Sequence, residues 1–149
     1  MDQPYPAPAI VIARHPVHSI FAAFPTACFT LALVNDIAYW RSSNLVWKHF
    51  AEWLLFFGIV GGVLALIAGL LDVVLRRRPS LYGPVWPYPL AMIAALVLAT
   101  INSLVHSGDG WPAVVPWGLV LSALTVLAVL AAEWAAGTIA FRTHPERMP

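Results

Sequence analysis

The chain has 149 residues, 60% of them apolar and only 10% charged, with a formal net charge of +1. Soluble domains carry charge on about a quarter of their residues, so this composition excludes one, and the near-neutral balance excludes a nucleic-acid binder, which needs a basic patch. The length fits one domain, and a single cysteine, Cys28, excludes an internal disulfide and a CxxC metal or redox site.

Residues 1–16 read as a tail. Its first thirteen positions hold Asp2 and three prolines but no Lys or Arg, which does not match the charged start of a signal peptide. Crossing a bilayer takes about 20 apolar residues in a helix, and four stretches qualify: Val17 to Trp40, Phe50 to Leu75, Leu90 to His106 and Val114 to Phe141. The first contains Pro25, which lacks an N–H and predicts a kink. The second carries Gly58, Gly61, Gly62 and Gly69, small residues at helical spacing that predict close helix approach, either within the chain or in a dimer. The third begins among Pro84, Pro87 and Pro89. The fourth repeats small residues at Ala132, Ala136 and Ala140 and ends before a tail at 142–149.

The breaks between these stretches, Arg41 to His49, Arg76 to Pro89 and Ser107 to Pro112, are short, which predicts an all-α, up-down four-helix bundle in the membrane. Arg14, Arg76, Arg77, Arg78, Arg142 and Arg147 fall on the side of the termini, against only Arg41 and Lys48 opposite. By the positive-inside rule both termini are predicted to be cytoplasmic. Trp40, Trp47, Trp53, Trp111 and Trp117 mark the outer interface and Trp86 the inner one, while Trp134 lies within the fourth span.

Polar residues inside the spans are the candidate functional residues, because an ionised acid near mid-span costs at least about 2.5–3.5 kcal/mol. Asp36, His49, Glu52, Asn102 and His106 form an outer layer; His15, His18, Asp72 and the deeper Glu133 form an inner one. Asn102 and His106, four apart, share a helix face. Asp72 can pair with Arg76, Asp36 can reach toward Arg41 or Lys48, and His49 with Glu52 can be helix-start residues. Glu133 lies too deep for easy exit and reads as a protonated or hydrogen-bonded core acid. The sharper alternative is a b-type haem held axially by His49 and His106, with His15 and His18 as inner candidates, or a His/Asp/Glu metal site. Motifs for nucleophilic or metallohydrolase catalysis and for phosphate loops do not occur.

Longer strings of residues carry a resemblance. His15-Pro16-Val17-His18, Phe24-Pro25, Asp36 and Trp40 are followed by Trp53-Leu54-Leu55, Gly58 and Gly69-Leu70-Leu71-Asp72. Then come His106-Ser107-Gly108-Asp109-Gly110, Val114-Val115-Pro116 and Gly118-Leu119-Val120-Leu121-Ser122. Over residues 14 to 142 this resembles a bacterial family of small membrane proteins, domain of unknown function 2231. The resemblance implies a four-span inner-membrane fold without an established activity. Because members occur fused to or beside Rieske and cytochrome c modules, it also implies an electron-transport setting. Many members carry a His and, four residues later, an Asn at the start of the third helix; here Trp86-Pro87-Tyr88-Pro89-Leu90-Ala91-Met92 has neither. The fourth helix ends in Ala135-Ala136-Gly137-Thr138 where relatives often have paired glycines and a Glu.

Both departures point away from a cofactor. The expected function is thus a non-catalytic accessory subunit of a membrane redox or energy-converting complex, partnered by lipid and by other subunits or copies of itself. A haem b electron carrier is the alternative, and a small proton- or ion-conducting bundle using Asp36, Asp72 and Glu133 the third reading.

Overall fold

A computed structural model describes residues 17–76, 87–109 and 111–142, with side chains described over 23–71, 87–109 and 112–135. Regular structure among the described residues is entirely helical: α1 (Val17–Ser42), α2 (Leu45–Arg76), α3 (Pro87–His106) and α4 (Trp117–Arg142), with a single 3-10 turn at Trp111–Ala113 before α4. Among the described residues three stretches, Leu45–Leu71, Pro87–His106 and Trp117–Ala135, are long and apolar enough to cross a membrane.

The first break is much shorter than the sequence suggests. Only Ser43 and Asn44 separate α1 from α2, so Lys48, His49 and Glu52 lie on the opening turns of a helix that starts at Leu45. Ser43 takes the left-handed conformation (φ 53°) and its N–H donates to the Tyr39 carbonyl at 2.7 Å, which closes α1. Asn44 then caps α2, its Oδ1 accepting the Val46 N–H at 3.0 Å. Two residues suffice because each one satisfies a helix end. α3 opens on Pro87, whose missing N–H is harmless at a first helical position. α4 starts at Trp117 rather than Val114, after the turn at 114–116. Pro25 lies inside α1, which stays helical through it, and its ring is fully buried.

The helices form two antiparallel hairpins, α1–α2 and α3–α4, whose internal contacts are far more extensive than the α1–α4 and α2–α3 seams that join them. Phe29, Ala32, Leu55, Met92, Ala95, Leu96, Ala99, Val129 and Ala132 fill the space between all four. Outward lie Leu64, Ile67, Leu70, Leu104, Leu127 and Trp134, among other large apolar side chains. In lipid such a surface needs no covering by protein, so shape and polar bonds inside the bundle must hold the helices together.

Glycines on α2 make the first hairpin tight. A Cβ at Gly58 would stand 2.5 Å from Phe29 Cε1, one at Gly61 2.5 Å from Phe24 Cδ1, and one at Gly62 2.7 Å from Leu96 Cδ2 of α3. Gly69 meets nothing within 4 Å among the described residues. The two α1 contacts differ in consequence, since Phe29 is 1% exposed and Phe24 50%. Gly58→Ala is expected to lower stability by about 1–3 kcal/mol, because Phe29 has nowhere to go. Gly61→Ala should be tolerated, because Phe24 can swing into lipid. Unfolding titrations of both variants in mixed micelles check the contrast.

Candidate functional site

At the end of the bundle where α1 meets the α3–α4 turn, three helices bring four polar side chains into one fully buried cluster: Asp36, Asn102, His106 and Ser122. Helical spacing aligns Asn102 with His106 on α3, and α4 supplies Ser122 one turn after Gly118.

Hydrogen-bond inventory fixes how these groups are arranged. His106 Nδ1 lies 3.0 Å from the Asn102 backbone carbonyl, which can only accept, so Nδ1 carries the hydrogen. His106 Nε2 lies 2.8 Å from Asp36 Oδ1. A bare imidazole lone pair facing a bare carboxylate would repel, so one proton lies between them. The Ser122 hydroxyl donates to the other carboxyl oxygen, Asp36 Oδ2, at 2.5 Å. Ser122 Oγ must therefore accept, and it does so from Asn102 Nδ2 at 2.7 Å. Asn102 Oδ1 is left buried without a hydrogen-bond partner among the described residues. Gly118 makes room for the ring: a Cβ there would lie 2.8 Å from His106 Cε1 and 2.9 Å from the Ala113 carbonyl oxygen.

Two further polar groups lie elsewhere. On α2, Lys48 Nζ is 2.7 Å from Glu52 Oε1, and His49 Nδ1 is 3.1 Å from Glu52 Oε2. Toward the opposite end of the bundle, the Thr26 hydroxyl of α1 donates to Glu133 Oε1 of α4 at 2.5 Å. Tyr88, which packs against the core, has a buried hydroxyl with no hydrogen-bond partner among the described residues. Ser122 and Glu133, eleven residues apart, are separated by about 16 Å along α4, and Phe29, Met92, Val129 and Ala132 lie in the apolar core between the two ends. Hydroxyls on the helices that have no such partner turn to their own backbone: Thr30 to the Thr26 carbonyl, Thr100 to Leu96 and Thr125 to Leu121.

Several expectations change. Asp36 does not reach out to Arg41 or Lys48; it points inward to His106 and Ser122, and Lys48 pairs with Glu52 instead. His49 and His106, the expected axial pair, lie in separate polar groups. The His49 side chain is 64% exposed and leans on Glu52, and His106 has both ring nitrogens within hydrogen-bond distance of groups in its own chain. Among the described residues no three His, Cys, Asp or Glu side chains are grouped to hold a metal ion. His15 and the side chains of His18 and Asp72 lie outside the described residues. Glu133 is hydrogen-bonded, through a partner, Thr26, that its own helix does not reveal. Sequence reasoning missed Gly118 and the bond from Ser122. The signal was their four-residue spacing, which puts a residue without a side chain and a hydroxyl on one face of an otherwise apolar turn.

A family model described as a predicted membrane protein, DUF2231, matches residues 14–146, nearly the whole chain. No curated protein and no solved structure matches it.

Proposed function

Because the chain belongs to the DUF2231 family of predicted membrane proteins, we propose that it is a non-catalytic accessory subunit, embedded in the membrane and assembled with other membrane proteins. The observation that carries this reading is the engagement of the polar core with itself. Both ring nitrogens of His106 and both carboxyl oxygens of Asp36 are bonded within the chain, so these groups hold helices together. What the protein offers outward is a broad apolar surface on α2, α3 and α4, suited to lipid and to neighbouring helices. The apolar core between the two polar ends favours this reading over an ion-conducting bundle.

The setting we propose is the bacterial inner membrane, with α1 as a fourth crossing and both termini cytoplasmic. The antiparallel packing of α1 against α2 supports the crossing, and the six-to-two division of Lys and Arg supports the orientation. The redox or energy-converting character of the complex rests on the family resemblance.

Purification in mild detergent tests the proposal. The expected result is comigration with a larger membrane complex that contains cytochromes. Isolation as a clean, monodisperse species of this chain alone, at native expression level, would overturn it.

A further inference from the structure

We propose that the groove between α2 and α3 is a binding site for a fatty acyl chain, holding the far end of one phospholipid tail at the middle of the membrane. The groove has a volume of about 300 Å³ and is lined by Ile59 and Val63 of α2 and, on α3, by Leu96 with Ile93, Val97 and Ile101. Leu96, 9% exposed, forms its floor, and Val63, Ile93, Val97 and Ile101 form an exposed rim. Val97 lies ten residues after Pro87 and nine before His106, at the centre of α3. That helix is about 30 Å long, the thickness of a hydrocarbon core, and Ile93 to Ile101 covers about 12 Å of it. The groove therefore faces the membrane midplane, where lipid tails end.

Its own walls do not close it. Ile59, Val63, Ile93, Val97 and Ile101 are all β-branched, and in a helix such side chains hold nearly one χ1 rotamer. They stand where the backbone puts them and cannot swing inward. Gly62 keeps the floor low. A Cβ there would stand 2.7 Å from Leu96 Cδ2, so its absence lets Leu96 settle against α2 and leaves the space above it open.

What fills the groove must be apolar and thin. Apolar cavities stay dry and take apolar guests, and an empty one forfeits the dispersion contacts of its walls. Thr100, the polar residue of the lining, turns its hydroxyl to the Leu96 carbonyl at 2.8 Å, which suits a tail and not a headgroup. A helix of another chain is about 10–12 Å across and needs small residues to approach closely, yet the lining holds no Gly, Ala or Ser. A lipid tail meets each condition, and the bilayer supplies it at this depth.

Photolabelling tests the site. The purified full chain is reconstituted into vesicles of phosphatidylethanolamine and phosphatidylglycerol, doped with phosphatidylethanolamine that carries a diazirine near the end of one acyl chain. Labelled positions are mapped by peptide mass spectrometry. Exposed Leu127 of α4 and Leu31 of α1 serve as references; they lie ten residues from Trp117 and eleven from Ser42, matching the nine that separate Val97 from His106. Ile59, Val63 and Val97 are expected to be labelled several-fold more than either reference. Val97→Phe, which fills the groove from its exposed rim, should bring Ile59 and Val63 down to the reference level. Gly62→Ala, which drives Leu96 up from the floor, should do the same. Equal labelling of groove and references, or labelling of Ile59 and Val63 that Val97→Phe leaves unchanged, would overturn the proposal. So would a photoreactive residue at position 97 that captures a polypeptide instead of lipid in native membranes. The vesicles hold this chain alone, so their labelling does not depend on whether it is an accessory subunit.

Discussion

Replacing Asp36 with alanine is expected to destabilise the bundle by about 3–5 kcal/mol, the usual effect of removing one member of a buried charged pair. The loss has two parts. His106, fully buried and held against the Asn102 carbonyl, would keep an Nε2 with nothing to bond. Ser122 would lose its acceptor, although its hydroxyl can turn to the carbonyl of Gly118 one turn back. Adding His106→Leu to Asp36→Ala should recover most of the loss, because removing both partners leaves no orphaned group. A double-mutant cycle measured by unfolding in mixed micelles separates this from simple cavity formation. If the second substitution adds its own penalty instead of relieving the first, the two side chains are not partners.

Gly118→Ala is the second large effect, expected at about 1–3 kcal/mol. The new methyl would enter a space bounded by the His106 ring at 2.8 Å and the Ala113 carbonyl oxygen at 2.9 Å. A flexible side chain could yield, but here one neighbour is backbone and the other a ring bonded through both nitrogens. Either the turn before α4 moves or His106 tilts away from Asp36. Gly69→Ala is the matched control: its Cβ would meet nothing within 4 Å among the described residues, and alanine is the better helix former by up to about 1 kcal/mol. Equal effects at the two positions would show that helix propensity, not the fit around His106, sets the response.

These residues also show how far the sequence could be read. The helices themselves were legible because apolar stretches of spanning length stand between short polar breaks. The α2 glycines were legible as a seam because four-residue spacing repeats along one face, and Gly58, Gly61 and Gly62 each meet a neighbouring helix. Asp36, Asn102 and His106 could be placed at one depth by counting residues from the helix ends. What counting could not supply was rotation. A helix apolar on nearly every side carries no stripe to mark its inner face, so whether Asp36 looked toward Lys48 or toward α3 was open. The decisive bonds join residues 70, 86 and 107 positions apart, His106 with Asp36, Ser122 with Asp36 and Thr26 with Glu133, and such pairings follow from three-dimensional packing. The two-residue link at Ser43–Asn44 was hidden for another reason. Arg41, Lys48 and His49 read as loop by polarity, yet one of them ends α1 and two begin α2.

The bundle depends above all on α1 being fastened to the α3–α4 hairpin through the contact of Asp36 with His106. Solid-state NMR of the protein in bilayers, with histidine ring nitrogens and aspartate carboxyl carbons labelled, measures that contact directly. The expected result is a strong dipolar coupling between His106 Nε2 and the Asp36 carboxyl carbon, with Nδ1 protonated and hydrogen-bonded. A His106 signal with no coupling to Asp36, or one exchanging between tautomers like a free imidazole, would contradict it.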